Sequence, residues 1–391
     1  MNSNQPLPQP GLIVLFGSGE TSPTGRKIFE SVFQALPHAP RLALLETPAG
    51  FELNSPQVIG RVGEFFSRRL QNHAPQVQVI PARKRGTPFS PDDPHIVSPL
   101  LDADLIFMGP GSPSYAIRQL RDSLAWYYLI ARHRLGAVLA LASAATVAFS
   151  SFALPVYEIY KVGEELHWIE GLDFFKLYGL QLVFIPHWNN QEGGAELDTS
   201  RCFMGQERFT RLMELLPDEI TIVGVDEKTV LIMDPANSQC RVSGLGSITL
   251  IHTGHMHHKS WQENRPPRSQ TANLDNDENL VNVTKQRNGH LHRYHDGEGF
   301  PMSEIGPFHV FQPEASMPME IWQKALEINF KTPSSDDESP PPQVIQLIKA
   351  RQKYRQEQDW EMADELRRQV ASLGWEIIDT ENGPVSRKLQ E

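Results

Sequence analysis

Residues 136–157 read GAVLALASAATVAFSSFALPVY, a stretch of 22 residues without a charge. Its length approaches that of a membrane span, so its reading decides between two classes of protein. The segment opens on a compact apolar run, Ala137 to Leu141, continues through the small residues around Ser143, and meets Pro155 near its end. A buried strand turning into a small-residue helix accounts for that order, and a membrane span does not. A strand buried on both faces belongs to a parallel sheet covered by helices.

The flanking sequence supports this reading. Leu12-Ile13-Val14-Leu15-Phe16 is followed by Gly17-Ser18-Gly19-Glu20 and a helical pattern through Leu36. Leu42 to Leu45, Val77 to Ile80, Leu105 to Met108 and Val183 to Ile185 are further short apolar runs, and Ile59 to Leu70 has helical periodicity. Strands alternating with helices imply right-handed crossovers, hence an α/β fold of three layers with a mostly parallel, flavodoxin-like sheet. Ile220 to Val225, Val230 to Met233 and Ile248 to Ile251 read as a β-rich end to the same domain, placed at residues 11–255. Residues 256–342 form a polar connector, with an insertion over 263–280 and a Pro-rich linker over 333–342; a charged module occupies 343–391.

The chain has 391 residues and a formal net charge of −11, which argues against a generally basic nucleic-acid or membrane-surface binder and leaves room for a local basic patch only. Two cysteines, Cys202 and Cys240, can build neither a disulfide framework nor a Cys-rich zinc site. The amino-terminal residues lack the apolar core of a signal peptide, so the expected location is cytoplasmic. Late histidines (His252, His255, His257, His258, His290, His292 and His295) lack the HExxH pattern and read as exposed loop residues. No metal and no organic cofactor are expected.

Ser143, directly after a strand and among alanines, fits a nucleophile elbow, a tight strand-to-helix turn that lifts Oγ above the sheet. On this segment alone, a buried serine on an Ala-rich helix fits as well. His187 follows the strand ending at Ile185, where a general base for Ser143 would stand. Glu158 is a candidate to orient that histidine, or else a surface partner of Lys161.

In order, GSGE, GPGSP (109–113), ASAAT (142–146), PHWNN (186–190), MGQERFTRL (204–212) and GVDEKT (224–229) resemble dipeptidase E and cyanophycinase. These are serine peptidases with the class I glutamine amidotransferase-like fold. The resemblance implies Ser143 as nucleophile, His187 as base and Glu158 as third member. It further implies an oxyanion and substrate site involving Gly109, Gly111, Ala144, Asn189 and Arg208, with a small peptide or amide as substrate. Leu141 and Ala145 replace the elbow glycines, and Pro110, which has no N–H, occupies the middle of the glycine-rich turn. A non-catalytic binding protein is therefore the competing class. Serine at the elbow argues against the thiolate chemistry of an ordinary glutaminase.

In the tail, residues 344–355 and 360–373 read as two amphipathic helices, closed by Gly374 and the short strand 375–380. Arg351, Arg355, Asp359, Ala363-Asp364, Arg367, Gly374, Asp379-Thr380 and Gly383 resemble the carboxy-terminal module of cysteinyl-tRNA synthetases. That resemblance implies a tRNA partner, and a helical hairpin of this kind equally suits a protein partner. The segment is nearly neutral, and neither HIGH-like nor KMSKS-like motifs occur in the chain, so aminoacylation is not expected.

Overall fold

The structure is a computed structural model. It describes residues 9–36, 38–253, 278–286, 289–313, 316–330, 340–357, 359–380 and 383–389. The chain divides into a unit through Asn329 and a second from Phe330.

The strands of the first unit are β1 (Ile13–Phe16), β2 (Arg41–Leu45), β3 (Gln76–Ile80), β4 (Leu105–Met108), β5 (Val138–Ala142), β6 (Phe152–Ala153), β7 (Ile169–Glu170), β8 (Leu182–Ile185), β9 (Thr221–Val225), β10 (Thr229–Asp234), β11 (Gln239–Gly244), β12 (Ser247–His252), β13 (His290–His295) and β14 (Gly299–Pro301). Its helices are α1 (Pro23–Gln34), α2 (Ser55–Arg69), α3 (Pro94–Val97), α4 (Pro113–Leu120), α5 (Leu124–Arg134), α6 (Ala144–Ala148), α7 (Gly205–Glu214), α8 (Glu278–Gln286) and α9 (Met319–Asn329).

The stretch 136–157 is strand β5, then the short helix α6, then an irregular segment. No helix among the described residues is long and apolar enough to cross a membrane. The main sheet has eight strands in the order β14-β11-β10-β1-β5-β4-β2-β3. The five from β1 to β3 in that order run parallel, while β10, β11 and β14 are antiparallel additions. Alternate residues of β1 serve opposite faces. Val14 and Phe16 pack with Phe29 of α1 and Phe66 of α2, whereas Ile13 and Leu15 pack with Leu120, Leu129 and Val147 of α4, α5 and α6. Those two apolar layers account for the three-layer build.

The single sheet expected from the sequence is split in two. Strands β8, β9, β12 and β13 form a second, four-stranded sheet in which only β8 and β9 are parallel. Nor are residues 290–329 a bare connector: β13 pairs with β12, β14 pairs with β11, and Trp322 and Ala325 of α9 are buried in the large core cluster. Residues 254–277, which include most of the expected insertion, and 331–339, which include most of the linker, lie outside the described residues.

In the second unit, α10 (Pro342–Gln356) and α11 (Trp360–Ser372) precede a hairpin of β15 (Trp375–Thr380) and β16 (Gly383–Lys388). Val344, Val370, Trp375 and Ile377 form its core. Gly374 has φ 82° and closes α11, the position for which a left-handed glycine is favoured.

Gly17 ends β1 where three segments meet. Its N–H donates to the Thr229 carbonyl and its carbonyl accepts from the His187 N–H, at 2.9 and 3.1 Å. A Cβ at this position would stand 2.0 Å from the Asp226 carbonyl oxygen, so no side chain fits without moving backbone. Gly17→Ala is expected to lower the unfolding free energy by about 1–3 kcal/mol, as overpacking against fixed backbone does. Urea unfolding of the variant checks this; an unchanged midpoint would refute it.

Candidate functional site

The site is built at the carboxy-terminal ends of β1, β5, β8 and β9. Ser143 follows β5 directly and has φ 52° and ψ −116°, a strained conformation for a residue with a side chain. It is the N-cap of α6, so the N–H of Ala144 belongs to the first turn, whose donors a helix cannot satisfy internally. The fold accommodates Leu141 and Ala145 in place of glycines by burying both completely in the apolar cluster beneath the turn.

Ser143 Oγ lies 3.1 Å from His187 Nε2, although 44 residues separate the two in sequence. His187 has a positive φ of 52°, and its Nδ1 lies 3.2 Å from Glu227 Oε1. A carboxylate only accepts, so Nδ1 carries the proton and Nε2 is left to accept from Ser143. Register explains the meeting. β8 and β9 are parallel neighbours with Ile185 opposite Gly224, and His187 and Glu227 each stand two residues beyond a strand end.

Glu158 was expected to orient His187, and the structure corrects this. Glu158 begins the π-helical turn Glu158–Val162, its Oε2 is buried without a hydrogen-bond partner, and the carboxylate against His187 Nδ1 is that of Glu227. The signal for Glu227 lay in GVDEKT, an acid just beyond a strand that neighbours the histidine's strand. Sequence separation alone cannot reveal which strands are neighbours.

Two asparagines hold Glu227. Asn190 is buried, and its Nδ2 donates to Glu227 Oε1 at 2.7 Å, while its Oδ1 accepts from the Glu192 N–H. That second bond fixes which way the amide faces. Asn189, expected at the substrate site, accepts the Glu227 N–H through Oδ1 at 2.8 Å. The hydrogen bond from His187, helped by that from Asn190, holds the Glu227 carboxyl below the ordinary range. Burial pushes the nearby Glu20 carboxyl up, against the opposing influence of a backbone hydrogen bond and the His187 charge.

The turn containing Pro110 is fixed by its neighbours. Gly111 has φ 147°, and a Cβ there would lie 2.0 Å from the Pro48 carbonyl oxygen, which also accepts from the Ser112 N–H. Gly109 is buried at the end of β4, and Ser112 caps α4 by accepting from the Tyr115 N–H. Arg208 lies in the first half of α7. Its Nε donates to the Met204 carbonyl at 2.6 Å and its Nη2 to the Phe203 carbonyl at 2.9 Å, so the side chain braces the chain beside His187. Cys202 is buried, and desolvation pushes its thiol up to about 12, which rules it out as a thiolate at neutral pH.

Among the described residues no three His, Cys, Asp or Glu side chains converge as a metal-binding group. His252 and His290 face each other across β12 and β13. His255, His257 and His258 lie outside the described residues.

Comparison with known proteins divides the chain in two. A peptidase from an acI-B1 Actinobacterium matches 62% of this chain and 90% of its own, with a TM-score of 0.50 and 21% identity. That likeness establishes the fold. A putative peptidase E protein from Listeria monocytogenes matches 61% of the chain and all of its own, at a TM-score of 0.41 and 14% identity. Residues 337–381 match the family model of the cysteinyl-tRNA ligase anticodon binding domain. The tail resembles that of a cysteine–tRNA ligase. The Chlamydia caviae enzyme is 37% identical over 87 residues and the Chlamydia abortus enzyme 33% identical over 86. The matches span 22% of this chain and only 18% of either ligase.

The depressed Glu227 carboxyl links the site to stability. A group whose folded pKa lies below its unfolded value of about 4.5 contributes fully above that pH, and the contribution is lost as pH falls through the folded value. Urea unfolding of the native chain and Glu227→Gln should therefore differ most above about pH 4.5, the gap closing under acid. Parallel stability curves across this range would contradict the assignment.

Proposed function

We propose that the first unit is a serine hydrolase of peptide or amide bonds. The observation that carries this reading is Ser143 on a strained elbow, 3.1 Å from a histidine whose far nitrogen faces an ionised glutamate. Ser143 Oγ attacks the scissile carbonyl carbon while His187 Nε2 takes its proton, and Glu227 stabilises the imidazolium so formed. The N–H groups of Ala144 and Gly111 are the donors for the oxyanion, Pro110 having none. Collapse of the tetrahedral intermediate breaks the C–N bond, and His187 returns the proton to the departing amine. Water then attacks the acyl-serine by the same route in reverse. The ordered resemblance of GSGE, GPGSP, ASAAT and PHWNN to dipeptidase E and cyanophycinase supports this reading, and no cofactor is required by it.

For the second unit, the family match over residues 337–381 favours a role in binding tRNA. Trp360 is 59% exposed at the start of α11, with the Arg355 guanidinium 6.0 Å from its ring, a pair suited to stacking on an unpaired base. The full-length chain should retard a tRNA transcript at low salt, with affinity falling as salt rises. Trp360→Ala should weaken binding about tenfold, as loss of one stacked base does. Salt-independent capture, or none, would remove the tRNA reading while leaving the hydrolase untouched.

The hydrolase reading is tested with a fluorophosphonate probe and dipeptide turnover. Ser143 should be labelled, and Ser143→Ala should abolish both labelling and turnover. Glu227→Gln should lower kcat by about 10²–10⁴, in the range of general acid–base contributions, with Glu158→Gln within about threefold of the native rate. Ser143→Gly should be inactive yet more stable by about 1 kcal/mol, because glycine relieves the backbone strain. A native chain that neither labels nor turns over would leave a binding protein as the function.

A further inference from the structure

Arg201, Cys202 and Phe203 have consecutive φ values of 57°, 58° and 69°, and Gly205 follows at 72°. Left-handed backbone costs an L-residue roughly 1–2 kcal/mol, and it is rare for a bulky side chain. Such a run persists only where its surroundings over-determine it. Here the Arg201 N–H and Nη1 both donate to the Trp188 carbonyl, with the guanidinium 4.0 Å from the Trp188 ring. The Cys202 N–H donates to the His187 carbonyl, and Arg208 holds the Phe203 and Met204 carbonyls from the other side.

The three side chains differ in where this leaves them. Arg201 and Cys202 are buried, whereas Phe203 packs against the edge of the large core cluster and remains partly exposed. The Phe203 ring sits 5.9 Å from the His187 ring and 5.5 Å from the ring of Tyr160, itself 37% exposed. Two accessible rings therefore continue outward from the base.

We propose that Phe203 and Tyr160 form an aromatic subsite for the amine component of the substrate, selecting amide bonds whose departing amine carries an aromatic side chain. The inference rests on the hydrolase reading. His187 hands its proton to the departing nitrogen, so the amine component stands on the His187 side of the scissile bond, where these rings are. Ring contacts at 4.5–7 Å are favourable beyond the area they bury.

The test compares Ala-Phe with Ala-Ala, each with free and with blocked termini, on the full-length chain. Acyl groups and leaving-group chemistry are then matched, and only the side chain on the amine differs. The native chain should prefer the Phe peptides by at least about fivefold in kcat/KM. Phe203→Gly keeps the left-handed backbone without strain and removes the ring, so it should fold and bring the ratio towards one; Phe203→Tyr should restore it. Labelling of Ser143 with equal turnover of the two peptides, or with no turnover of any, overturns the inference alone. A ratio unchanged by Phe203→Gly does the same. Absence of both labelling and turnover overturns the hydrolase reading and this inference together.

Discussion

The hydrogen bond from the His187 N–H to the Gly17 carbonyl joins the four-stranded sheet to the eight-stranded one at the place where chemistry is proposed. Ser143 belongs to one sheet, whereas His187 and Glu227 follow strands of the other. Their alignment therefore depends on how the sheets are fastened. One further bond, Lys228 N–H to Ser18 Oγ, ties the link between β9 and β10 to the turn after β1, while Gly17 N–H to the Thr229 carbonyl and Trp188 N–H to the Val225 carbonyl extend the pairing within each sheet up to the seam. The glycine-rich GSGE turn acts in this fold as the fastening.

Backbone strain concentrates around the same place. Ser143, His187, the run 201–203 and Lys228 all have positive φ, and all lie within two residues of a strand end at the site or contact its histidine loop. Neighbouring bonds hold each of them, and buried amides such as Asn190 leave little freedom for the carboxylate beside His187. Strain held by a rigid surround is consistent with preorganised donors and acceptors, which need no rearrangement when charge develops.

Much of this was legible in the residues. Apolar runs at 12–16, 42–45, 105–108 and 137–141 became four of the five parallel strands of the main sheet, because strands buried on both faces have little alternation to disguise them. Ser143 and His187 could be found because each immediately follows such a run. Glu227 could not be chosen over Glu158, since the choice depends on β8 lying beside β9, a fact of register with no local signature. Residues 290–329 misled for a different reason. Strand β13 is half-exposed along its length and carries three histidines, so its composition is that of a connector although its backbone is paired. The second sheet was hidden for another reason, since β8, β9 and β12 are as fully buried as the central strands of the first sheet.

Strand order also sets how the chain can be assembled. β1 is flanked by β5 and by β10, so its two neighbours come from about 125 and 215 residues further along. Contacts of such separation make for slow folding. On a ribosome the first strand emerges long before either neighbour exists, presenting Ile13 to Phe16 as an unpaired apolar ribbon. The order β14-β11-β10-β1 means that this ribbon is covered on its second edge only after residue 234 has been synthesised. An apolar strand left unpaired for that long is an aggregation hazard that follows from the topology itself.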